Sequence, residues 1–248
     1  MLKLSASSIG THEKCPKQYQ YRYIIKPDVP PTDWSFLEFG KCAHRVLELF
    51  HEHLLYNVED PSRYPDIMKV AFKKALKEFN MGILKPELPA LKEVIQDYLN
   101  AIKENGLPPV IHNELSFELM VGNYMVRGFI DRIDKIADGE YHVVDYKTNK
   151  NPKYLTNFQL LLYAMVVKSK YPDAEIIHGS YILLKHKSRT KDWTFTEKDY
   201  QDTIDKINRV GKDITLGTSW EKRPSILCNW CDYYTICQGS WTGEDEKE

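Results

Sequence analysis

Near residue 110 the chain stops repeating every three to four residues and begins to alternate. "NELSFELMVGNYMVRGFIDRIDKIADGEYHVVDYK" is a series of short in-and-out runs broken by Gly-Asn and Asp-Gly. Alternation buries one face of a strand, and those dipeptides supply the tight turns a hairpin needs, so the segment predicts three antiparallel strands in a meander. What precedes it is helical. "FLEFGKCAHRVLELFHEHLL" sets Val46, Leu47, Phe50 and Leu54 on one stripe, and residues 64–80 and 88–104 predict two more helices. After it come a helix in "YLTNFQLLLYAMVVKSKY", strands in "EIIHGSYILLKHK" and "TKDWTFT", and a helix over about 197–213. This order predicts an α/β protein with a mixed central sheet flanked by helices.

The chain of 248 residues is read as one domain. It has a mainly helical part over 1–110, a core over 111–215, and a cysteine-rich module with an acidic tail over 216–248. The formal net charge of -1 gives no global signal for a polyanion, although the tail acids Glu244, Asp245, Glu246 and Glu248 hide a slightly basic body. No apolar run has the length of a membrane span, and the first residues lack the apolar stretch of a secretory signal, so a cytoplasmic protein is expected. Five cysteines without that signal argue for metal or thiol chemistry over disulfides.

In "VVDYKTNK", Asp145 and Lys147 share a strand face while Tyr146 points away. Such a pair is either an ion pair or part of a reaction site. Glu114 opens the first strand of the meander, Asp131 lies on the second and Asp145 ends the third. Strands about 4.8 Å apart can bring such acids together on a hard cation such as Mg²⁺ or Mn²⁺. Asp134 is expected to be solvated.

Cys228, Cys231 and Cys237 read C-x2-C-x5-C, and Cys15 stands far upstream. Four thiolates can hold Zn²⁺ or an iron–sulfur cluster. Zinc sites usually pair two short knuckles, and one knuckle is missing here. Either ligand set would close a very long loop, which implies a structural role. Cys42 is the odd thiol and reads as a small buried side chain.

"GFIDRID", "VVDYKTNK" and "QLLLYA", in this order after "GKCAH", resemble the PD-(D/E)XK nuclease superfamily in its RecB-like branch. The resemblance covers roughly residues 1–240 and implies a restriction-endonuclease-like core. It implies a divalent metal held by His44, Asp131 and Asp145, with Lys147 beside the attacked phosphate and Glu114 in support. By the same resemblance Gln159 and Tyr163 orient Lys147 or the DNA backbone. Cys15 with the C-terminal trio resembles the 4Fe–4S staple of CRISPR-associated and AddB-type exonucleases.

The resemblance implies an exonuclease on single-stranded DNA, 5′ to 3′, serving recombination, repair, or CRISPR or phage DNA processing. An endonuclease or flap nuclease, or a DNA-end-binding adaptor without catalysis, are the alternatives. No G-x-x-x-x-G-K-[ST] loop occurs in the sequence, so strand separation is expected from a helicase partner or a preference for free ends. Lys185, His186, Lys187, Arg189 and Lys191 predict a basic hairpin for phosphates, and Trp34 a platform for unpaired bases.

Overall fold

The computed structural model describes residues 2–29, 35–217 and 220–237. Trp34 and the acidic tail lie outside them. The backbone divides into two compact units, residues 34–117 with 129–200, and residues 1–33 with 118–128 and 201–248.

The larger unit is the α/β body. Its helices are α3 (Ser35–Tyr56), α4 (Tyr64–Leu76), the short α5 (Met81–Leu84), α6 (Leu88–Asn105) and α7 (Phe158–Lys170). The strands β2 (Val110–Val121) and β3 (Tyr124–Ala137) extend past it, and β4 (Glu140–Lys147), β5 (Ile176–Leu183) and β6 (Arg189–Thr194) lie within it. The sheet runs β3, β4, β5, β6, with β2 also paired to β3. β3 and β4 are antiparallel, β4 and β5 parallel, and β5 and β6 antiparallel, which is the mixed sheet expected. The parallel pair needs a crossover, and α7 supplies it.

Two sequence expectations shift. α4 stops at Leu76 because Asn80 accepts from Gly82 N and starts a separate turn of helix there. Glu114 is the fifth residue of β2 and not its opening, and its φ of 49° breaks the extended run.

α3 shows how the sequence divides its work. Phe39, Cys42, Ala43, Val46, Leu47 and Phe50 recur at three and four and are fully buried. They join α4, α6 and the sheet residues Val144, Tyr146 and Ile182 in one apolar core. Each large side chain there contributes roughly 1.5–3 kcal/mol, and Leu47→Ala would cost about 2–5 kcal/mol. Cys42 belongs to that core, with burial pushing its thiol up to about 11. A second stripe of α3, Phe36, Gly40 and His44 at four-residue spacing, faces a cleft instead.

The smaller unit holds β1 (Lys3–Leu4), α1 (Ala6–Lys14), α2 (Pro16–Tyr19), a π-helical turn over Gln20–Ile25, and most of α8 (Glu197–Leu216). β1, which the sequence did not announce, runs parallel to Met125 and Val126. Ser5 caps α1 through a capping box, and Pro16 begins α2 where its missing N–H costs nothing. Glu13 pairs with Lys206 and Arg209. Tyr19 stacks on Trp220 at 6.0 Å between ring centroids.

Candidate active site

β3 and β4 pair from Ala137 opposite Glu140, through a register shift between Lys135 and Ala137, as far as Arg132 opposite Val144. Beyond that pair Asp131 Oδ2 accepts directly from Tyr146 N at 2.7 Å. A carboxylate here replaces a backbone partner, which fixes its orientation and satisfies a buried N–H that would otherwise be costly. Asp131 Oδ2 also lies 3.3 Å from His44 Nδ1 on α3. The His44 ring meets Tyr146 edge to face, so its position is set by packing as well as by charge.

Glu114 completes this cluster from β2. Donor atoms of His44, Glu114 and Asp131 lie within 4.8 Å of one another, the one such group of three or more among the described residues. Two carboxylates and an imidazole at that separation suit a divalent cation. The charges already respond to each other. Burial opposes a proton on His44, but Asp131, joined by Asp145, overcomes it and lifts the group to about 9. Burial, and then the neighbouring Asp131 and Glu48, push Glu114 up to about 7. The left-handed backbone of Glu114 adds conformational strain at the same place.

Asp145 and Lys147 stand beside this trio in a ring of their own. Lys147 Nζ is 2.6 Å from Asp145 Oδ2 and donates to Gln159 Oε1 at 2.8 Å. Gln159 Nε2 donates to Tyr163 Oη at 2.6 Å, and Tyr163 Oη donates to Asp145 Oδ1 at 3.1 Å. One turn of α7 thus closes on one strand period of β4. Burial holds the Asp145 carboxyl above its usual range against the pull of Lys147. The expected metal set named Asp145; by donor distance Glu114 stands in the trio and Asp145 faces Lys147.

Behind the site lies a network that sequence reasoning missed. Asp134, expected in solvent, is 1% exposed. It takes a two-pronged contact from Arg132, whose other nitrogen donates to Tyr98 Oη and Tyr146 Oη. His51 Nε2 lies 2.6 Å from Tyr98 Oη. Arg132 and Asp134 alternate with Asp131 along β3, so the same "DRID" that offers a carboxylate to one face sends an ion pair into the core of the other. That alternation was the available signal. His53, on the same helix as His44, lies 2.8 Å from Glu59 Oε1.

Gly40 of "GKCAH" acts through closeness: a Cβ there would stand 3.1 Å from Thr148 Oγ1, just after Lys147. The cleft it borders has a volume of about 920 Å³, with His44, Glu114 and Asp131 in its lining and Lys41, Lys150 and Lys185 around them. Of the predicted basic hairpin, Lys185 reaches this cleft, its ammonium 4.0 Å from the Phe39 ring centre. Lys191 instead donates to Leu155 O.

The smaller unit gathers the cysteines. Cys15, Cys228, Cys231 and Cys237 line a single cavity of about 310 Å³ together with Tyr21, Trp230 and Tyr233. All four are free thiols. Four thiols on one cavity are a donor set that suits a thiolate-held metal group. Among the described residues no helix is long and apolar enough to cross a membrane.

The chain is 24% identical over 264 residues to the gene 69 protein of Mycobacterium phage D29, covering 94% of this chain and 95% of that protein. It is 28% identical over 171 residues to a subunit of the ATP-dependent helicase/deoxyribonuclease of Streptococcus mutans, and 25% identical over 203 residues to the corresponding subunit from Streptococcus pyogenes. Those matches take in 64% and 73% of this chain but only 14% and 18% of the length of the two subunits. A crystal structure from Eubacterium rectale, described as that of a candidate exonuclease, shares the fold with a TM-score of 0.55 at 12% identity, covering 95% of this chain and 88% of that one. Residues 3–238 match the PD-(D/E)XK nuclease superfamily, to which this chain belongs.

Proposed function

We propose that the chain is a metal-dependent deoxyribonuclease, an exonuclease that works on single-stranded DNA from 5′ to 3′. The observation that carries the metal-dependent reaction is the trio His44, Glu114 and Asp131 within mutual ligand distance, beside a lysine held by the Asp145–Gln159–Tyr163 ring. The names of the helicase/deoxyribonuclease relatives and of the Eubacterium protein support DNA as substrate and exonucleolysis as mode. The 5′ to 3′ direction rests on the likeness of the cysteine pattern to CRISPR-associated exonucleases.

A cation such as Mg²⁺ or Mn²⁺ at the trio supplies Lewis acidity that eases deprotonation of a water and offsets charge on the phosphoryl group. The chain does the rest. Tyr146 N and the His44 ring fix Asp131 so that its carboxylate enters the site without rearrangement. Lys147 aims a charged donor at the phosphoryl oxygen, where negative charge grows during attack. Gln159 and Tyr163 hold Lys147 and Asp145 in register. Lys41, Lys150 and Lys185 bring the phosphate backbone to the cleft.

The thiols of Cys15, Cys228, Cys231 and Cys237 are read as holding a 4Fe–4S cluster whose role is to tie α1 and α2 to the C-terminal segment. A helicase or other recombination, repair or CRISPR partner is the expected source of unwound ends, and a phage setting is consistent with the D29 relative.

The test is cleavage of 5′-labelled and 3′-labelled single-stranded DNA with Mn²⁺ by wild type, Lys147→Ala and Asp131→Asn. Wild-type cleavage lost in both variants supports the nuclease, and the label released first reports direction. Internal fragments as first products would make it an endonuclease. No cleavage by folded wild type on any DNA would leave an end-binding adaptor.

A further inference from the structure

We propose that Phe36 and Phe129 are stacking platforms for unpaired nucleobases, so that the cleft engages DNA through its bases as well as its phosphates; this rests on the nuclease reading of the same cleft. Both rings line the cleft, and they are 62% and 61% exposed. A phenylalanine left in water forgoes the stabilisation its burial would give, and most large apolar side chains of this unit are spent in the core.

Their placement is tied to the donor trio by secondary-structure period. Phe129 precedes Asp131 by two residues on β3, so the two share a face. Phe36 precedes His44 by eight residues on α3, with Gly40 between them at the same four-residue spacing. Each element that delivers a metal-ligating group therefore also delivers an exposed ring into the same cleft.

The surroundings select the occupant. Lys41, Lys150 and Lys185 face an anion, while the two rings ask for flat apolar surfaces. A polyanion that carries planar faces at regular intervals meets both demands, and that is a nucleic acid strand. In a duplex those faces are covered by their neighbours, so the rings are available only to unpaired bases. The strand preference then comes from stacking, without a sequence code, since every base has such a face.

The experiment measures binding in Ca²⁺, without turnover, of full-length protein to a fluorescein-labelled single-stranded oligonucleotide and to the same strand with a central run of tetrahydrofuran abasic sites. Wild type is expected to bind the abasic strand about a hundredfold more weakly, roughly tenfold for each ring. F36L/F129L, which keeps apolar bulk without a ring, should bind the intact strand as weakly as wild type binds the abasic one, and should no longer tell the two apart. F36W/F129W should retain the discrimination. Wild-type protein that binds both strands equally, or a leucine variant that still discriminates, overturns the proposal. Discrimination by a protein that cuts no DNA would remove the nuclease reading and leave the stacking role standing. Cutting without discrimination would do the reverse.

Discussion

Lys147 Nζ donates to Gln159 Oε1 at 2.8 Å while standing 2.6 Å from Asp145 Oδ2. A lysine has three donors and a flexible stem, so two fixed acceptors leave one N–H free to point and remove most of its rotamer freedom. The glutamine therefore acts by aiming the lysine. Lys147→Ala should lower the single-turnover cleavage rate 10²- to 10³-fold, as loss of one transition-state donor does, and Lys147→Arg should not restore it. Gln159→Leu should lower the rate about tenfold and leave Ca²⁺-supported DNA binding unchanged. Equal losses from both would mean that Gln159 itself meets the substrate.

Glu114 sets stability against function. Its pKa of about 7 lies above the ordinary carboxylate value near 4.5, so its charged form is disfavoured by the fold. The stability associated with the neutral form is fully present below the unfolded value and is lost as pH rises from 4.5 through 7. Glu114→Gln should thus raise the stability of metal-free protein at pH 8, by the order of 1 kcal/mol once its solvent-exposed edge is allowed for. Cleavage should fall sharply in the same variant. Thermal melts in chelator and in Mn²⁺ check this: the variant should melt higher than wild type in chelator and gain less from Mn²⁺.

Gly40 offers a test of closeness. A helical alanine is ordinarily more favourable than glycine by about 0.5–1 kcal/mol. Here the added Cβ would meet Thr148 Oγ1 at 3.1 Å, next to Lys147. Gly40→Ala should therefore bring no gain, while Thr148→Ala followed by Gly40→Ala should recover it. A double-mutant cycle on stability measures the coupling, and additive effects would show that the loop simply moves aside.

The α/β order of elements was legible because periodicity changes abruptly at residue 110, and Asp131, Asp145 and Lys147 were legible because a strand's period places them. Asp134 was misread as solvated because the tyrosines Tyr98 and Tyr146, which hold its strand neighbour Arg132, come from two other elements. Only the alternation along the strand, which puts Arg132 and Asp134 on the face opposite Asp131, pointed to the buried pair. The two-residue β1 was invisible, since it exists only by pairing with Met125 and Val126, far along the chain.

The core network predicts an acid limb in stability. Burial, with Arg132 and His178 adding to it, lowers His142 to about 4, and burial with Arg132 holds His51 well below its ordinary value. A histidine kept neutral by the fold contributes nothing adverse above pH 6.5. As pH falls from 6.5 towards 4 the unfolded chain takes the proton first, and stability drops by the order of 3 kcal/mol for His142. Asp134, raised by burial, works in the opposite sense and blunts the fall. Urea melts between pH 4 and 8 should show His142→Gln gaining on wild type as pH falls below 6.5, a difference that isolates His142 from the raised Glu114 and His44, which act in the opposite sense in both proteins.

The cysteine cavity makes a prediction that separates structure from catalysis. If the four thiols hold a cluster that fastens α1 and α2 to the C-terminal segment, anaerobically purified protein should be coloured and carry about four iron and four sulfide. Cys15→Ala should lose the colour as fully as Cys231→Ala, although Cys15 lies over two hundred residues away in the sequence. Loss of the cross-link should lower the melting temperature and increase proteolysis of the N-terminal segment, because the loop it closes is long. The Lys147→Ala protein, inactive for a different reason, should keep its colour. Zinc in place of iron, with equal loss in all four alanine variants, would keep the fastening and change only the group that performs it.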